Sequence, residues 1–82
     1  MKRYDTFGKP ALLLAARTLR EGGEPRDAFD LVGFAYKHGA IVPADLGNIL
    51  TEAQAKTLSR LHRDGVRPDP DRGRELLEAS RG

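Results

Sequence analysis

The chain contains no cysteine. That excludes a disulfide framework and any thiolate metal site, and it suits a reducing compartment. Long apolar runs are absent too. The run Ala11-Leu12-Leu13-Leu14-Ala15-Ala16 is followed closely by Arg17 and Arg20. It falls far short of the ~20 apolar residues that a membrane-crossing helix needs, and nothing in the sequence has the form of a signal peptide. A soluble cytoplasmic protein without membrane contact is the expectation. β-branched residues are scarce and no useful stretch alternates with period two, so strands are not expected.

Catalytic equipment is equally thin. The only histidines, His38 and His62, fall at or near expected helix C-termini, where a cation is favoured. No serine or threonine sits in a recognisable nucleophile setting. Asp69, Asp71 and Glu75 resemble a calcium loop only superficially, because glycine and glutamate stand at the wrong offsets and Pro70 reads as a helix start. Gly22-Gly23 is a turn, not a phosphate-binding loop. A chain of 82 residues also seldom encloses a substrate pocket of several hundred Å3. The expectation is a non-enzyme with no catalytic residues, metal, cofactor or small-molecule substrate.

What is present is helical punctuation. The length suits one domain; a domain of this size buries only about 60–65% of the surface its unfolded chain exposes. Residues 1–9 show no helical period and read as an N-terminal arm, which Tyr4 and Phe7 tack onto a helical domain over 10–82. Pro10 suits the start of a helix over 10–21, with Leu12, Ala15, Ala16 and Leu19 on one face and Gly22-Gly23 as the stop. Pro25 opens a second helix over 25–38. Ala28, Leu31 and Ala35 form one apolar line on it, and Phe29, Val32 and Tyr36 form another. Gly39 is its natural stop. A short helix is expected over 43–50.

Thr51 and Gln54 spell a capping box for a fourth helix over 51–64, ended by Asp64-Gly65. Asp69 as N-cap and Pro70 at the first position start a fifth over 70–80, which Leu76, Leu77 and Ala79 would dock. Gly73 costs that helix about 1 kcal/mol relative to alanine. The stretches 19–31 and 61–77 share a helix end, a glycine, a proline and a new helix. With no fixed period, that is the punctuation of any helical hairpin. The fold class is all-α, a compact single domain of four to five short helices.

Charge is sparse in net terms, +2, but uneven in placement. Residues 1–20 are basic, 21–55 acidic and 56–74 basic again, a pattern that makes a dipolar surface. On the fourth helix Lys56, Arg60 and Arg63, continued by Arg67, form a basic stripe opposite Gln54, Leu58 and Leu61. Exposed charged faces are common on ordinary helices. Two functional readings remain. In the first, the protein is a small regulator, adaptor or inhibitor that docks a larger protein or complex. It would use its oppositely charged helices 25–38 and 51–64, the stripe, and Phe34 and Tyr36 as aromatic anchors; Phe34 stands at the margin of the apolar face, where it is either a partly exposed anchor or, slightly favoured, a core residue. In the second, helices 43–50 and 51–64 act as a helix-turn-helix-like DNA- or RNA-binding unit, with the arginines on phosphates. Against the second, no glycine turn separates Leu50 from Thr51, and Glu52 at the leading end repels phosphate.

Overall fold

In the computed structural model the described residues are 8–38, 47 and 49–81, with His38 described by its backbone alone. They form four α-helices: α1 Lys9–Arg20, α2 Pro25–His38, α3 Glu52–Arg63 and α4 Pro70–Arg81. The all-α reading holds, and among the described residues there is no strand. The short helix expected over 43–50 and most of the N-terminal arm lie outside the described residues, although Gly47 and Ile49 carry helical backbone.

The expected start and stop signals act as the physics requires. At the end of α1, Gly22 adopts φ +78°. The Gly22 N–H donates to the Leu19 carbonyl at 3.3 Å and the Gly23 N–H to that of Thr18 at 2.8 Å. This is a Schellman closure, which satisfies carbonyls that the helix end leaves orphaned. The end of α3 repeats it with Gly65 at φ +82°. There Gly65 donates to His62 and Val66 to Leu61, both at 3.1 Å. At the start of α3 the capping box is complete. The Gln54 N–H donates to Thr51 Oγ1 at 3.1 Å, and the Thr51 N–H donates to Gln54 Oε1 at 2.9 Å. At α4, Asp69 Oδ1 accepts from the backbone N–H groups of Asp71 and Arg72 at 3.1 and 3.2 Å.

The core lies on α2, which packs most extensively against α4 and α1 and less against α3. Ala11, Leu12, Ala15 and Ala16 of α1 meet Ala28, Phe29, Leu31, Val32 and Ala35 of α2, with Leu50, Leu58 and Leu77 closing the cluster. Two side chains depart from expectation. Phe34 is 2% exposed and belongs to this core, because its position turns toward α4, not toward solvent. Ala79 is exposed, so Leu77, with half-buried Leu76, docks the helix.

Gly73 is the position at which sequence reasoning is most incomplete. A β-carbon there would press into the Asp30 backbone carbonyl and lie 2.9 Å from Phe34 Cβ. The glycine is therefore what lets α4 cross α2 at close range. In an isolated helix Gly73→Ala would add about 1 kcal/mol of stability. At this crossing, overpacking against backbone that cannot rotate away costs about 3 kcal/mol, so the sign inverts. Urea unfolding of Gly73→Ala is expected to show a net loss of about 2 kcal/mol; a gain would refute the close crossing. Thr51→Ala is expected to cost about 1 kcal/mol through the lost cap, lowering the midpoint of thermal unfolding by about 4–8 °C for a domain of this size.

Candidate functional site: the groove between α2 and α3

Along α2 the residues Arg26, Asp30, Gly33 and Lys37 recur at helical spacing and share one edge. By composition that edge should be solvated. The fold instead lays residues 66–69 and α4 against it, burying Asp30 and leaving Arg26 and Lys37 about half exposed. The Arg26 Nη2 donates to the Arg67 carbonyl at 3.1 Å. Asp30, only 3% exposed, accepts the Asp69 backbone N–H at 2.9 Å and the Arg26 Nε–H at 3.3 Å on one oxygen. A β-carbon on Gly33 would lie 2.5 Å from Pro68 Cβ, so the proline ring rests directly on the helix backbone. Lys37 reaches Asp71 at 4.0 Å, and Arg72 reaches Asp27 at 3.3 Å.

These contacts revise the expected charge pattern. The acids of α2 serve the α4 interface and are not an acidic face open to a partner. Pro68, seated on Gly33, also lines a groove of about 660 Å3 between α2 and α3. From α2 the groove is lined by Phe29, Val32, Gly33 and Tyr36, and from α3 by Ala55, Leu58, Ser59, His62 and Arg63, with Leu50 completing the wall. Tyr36 is 51% exposed, one of two large hydrophobic residues so placed among the described ones, the other being Leu13 on α1.

α3 is held over this space by few contacts. Leu58 is buried, Leu61 is half-buried, and the Gln54 Nε2 donates to the Ala16 carbonyl on α1 at 3.1 Å. Gln54 thus does two jobs, capping its own helix and tying it to α1. Around the helix at about 100° per residue, Ala55, Ser59 and His62 occupy the arc between Leu58 and Arg63. The groove therefore runs from the apolar edge of α3 to the basic stripe.

The residues singled out from sequence separate accordingly. Tyr36 and Arg63 come together on the groove. Arg60 is exposed on the stripe beside it, and among the described residues neither Arg60 nor Arg63 has an ion-pair partner. Lys56 is exposed and sits 3.8 Å from Glu52, a surface pair worth well under about 1 kcal/mol. Arg67 is exposed beyond the helix end and contributes its carbonyl to Arg26. Phe34 is withdrawn into the core and is not an accessible anchor. Sequence reasoning missed the wall residues Ser59 and His62 and the buried Asp30. For Asp30 the available signal was the edge it shares with Arg26, Gly33 and Lys37. No group of three or more metal-ligating side chains converges among the described residues, and no described helix is long and apolar enough to cross a membrane.

Asp30→Ala is expected to lower stability by about 2 kcal/mol, because the Asp69 N–H and Arg26 lose a charged acceptor. Asp30→Asn, which retains an acceptor oxygen, is expected to lose less. Chemical denaturation of both variants checks this, and equal losses would show that the hydrogen bonds to Asp30 are not what matters. Comparison with protein-family models, with curated proteins and with solved structures finds no match for this chain.

Proposed function

We propose that this protein is a small non-enzymatic interaction module, a regulator, adaptor or inhibitor, that docks a larger protein through the α2–α3 groove and its basic rim. The observation that carries this reading is the placement of Tyr36. It is a half-exposed aromatic at an apolar groove, opposite an arginine without an intramolecular ion pair among the described residues. Aromatic and arginine side chains dominate binding hot spots, because they bring large contact area and directed donors to a desolvated centre. The mechanism is occlusion or docking, with Tyr36 and Leu58 contributing apolar contact and Arg60 and Arg63 orienting the partner.

The exposed Arg60 and Arg63, without an ion-pair partner among the described residues, favour a second reading, a DNA- or RNA-binding regulator that uses α3. Glu52 at the leading end of α3 and the apolar character of the adjoining wall weigh against it.

One pair of measurements separates the two. Affinity capture from the native cell extract is expected to recover a protein partner that is lost with Tyr36→Ala and with Arg63→Glu. An identical set of captured proteins for both variants would remove the groove from consideration. Titration with random duplex DNA and RNA at low salt is expected to show no binding. Salt-sensitive binding that disappears in the Arg60→Ala/Arg63→Ala double variant would establish the second reading instead.

A further inference from the structure

Resting on the protein-docking reading, we infer that the occupant of the α2–α3 groove is an amphipathic helix of the partner, with an apolar face flanked by acidic side chains. Charge complementarity carries the inference. Among the described residues, the titratable side chains lining the groove are His62, Arg63 and the Tyr36 phenol, and Arg60 lies one turn back from Arg63 on the same stripe. Among the described residues, the acids of α2 and Glu52 at the start of α3 each lie beside a cationic side chain. Asp27 is with Arg72, Asp30 is buried with Arg26 and Asp69, and Glu52 is with Lys56. By helical spacing Asp64 falls beyond Arg60, on the side of the stripe away from the groove.

Shape points to a helix. The walls are two helices in sparse contact, while α2 is closely flanked by α1 and α4. Space between two helical surfaces is what the side-chain ridge of a third helix fills. A helix presents apolar residues at i, i+3 or i+4, and i+7 on one face, which suits the apolar lining of Phe29, Val32, Leu50 and Leu58. Its flanking carboxylates then reach Arg63 and Arg60 at the rim, where each guanidinium donates to carboxylate oxygens in a bidentate fork.

The test is selection of a random-sequence helical peptide library, in peptides of about 16 residues or four to five turns, on the full chain. Enriched peptides are expected to carry the i, i+3/i+4, i+7 apolar pattern, with Asp and Glu exceeding Lys and Arg at flanking positions by about fivefold, the ratio that a rim charge pair of modest strength supplies. Arg63→Glu is expected to reverse that bias. Ser59→Trp, which fills the groove from an exposed position, is expected to abolish capture while the far-ultraviolet circular dichroism stays unchanged. Enrichment at the groove without acidic bias overturns the inference and leaves the docking reading intact. Peptides that still bind Ser59→Trp place the contact elsewhere and overturn it. No enrichment at all overturns it together with the groove as a protein-docking surface. So do nuclear Overhauser contacts from this chain's own residues 39–48 to Leu58 and Tyr36, or groove chemical shifts produced by decanoate when no peptide is enriched.

Discussion

The close crossing of α2 and α4 is the constraint on which the rest of the structure depends. It requires a missing side chain at Gly73, so that α4 can approach the Asp30 carbonyl. It also requires a buried carboxylate at Asp30, so that the turn entering α4 has an acceptor for its Asp69 N–H. Neither half works alone. Without the glycine the backbones could not meet, and without the carboxylate the approach would bury an unsatisfied donor, which costs as much as a lost hydrogen bond. Among the described residues no buried side-chain nitrogen or oxygen is left without a partner, so the polar seam is internally complete.

From that seam the groove follows. Pro68 packed on Gly33 lines it, and the buried Phe29, Val32 and Leu58 give it an apolar surface. Because α2 spends its charged edge on α4, the charge left at the groove is that of α3, and it is positive. A domain of this size has little apolar surface to spare for a core.

Much of the architecture was legible in the chain. Helix starts at Pro25, Thr51 and Asp69 and stops at Gly22 and Gly65 are local effects. They depend on a missing N–H, a side-chain acceptor or a left-handed φ within a few residues, so a sequence window contains all the information. The apolar lines of α1 and α2 were legible for the same reason, since 3.6-residue periodicity is local. Phe34 and Gly73 were not. Phe34 sits at the margin of the apolar face, and which margin is buried depends on where α4 lies. Gly73 looked like a weak point, because helix propensity counts only the helix's own backbone and not the neighbour that a β-carbon would strike.

The candidate site divides along the same line. The stripe of Lys56, Arg60 and Arg63 and the aromatic at Tyr36 were visible as residue types at a spacing. Their separation into groove wall, rim and exposed surface was not, and neither was the role of Ser59 and His62. The sequence by itself determined the helices, their caps and the sign of the charge on α3, because each arises from interactions spanning one to four residues. The tertiary structure alone decided that Asp30 is buried under the segment leading into α4 and that Tyr36 and Arg63 line the same groove, because those outcomes turn on groups some 27 to 39 residues apart in the chain, whose meeting no local pattern encodes.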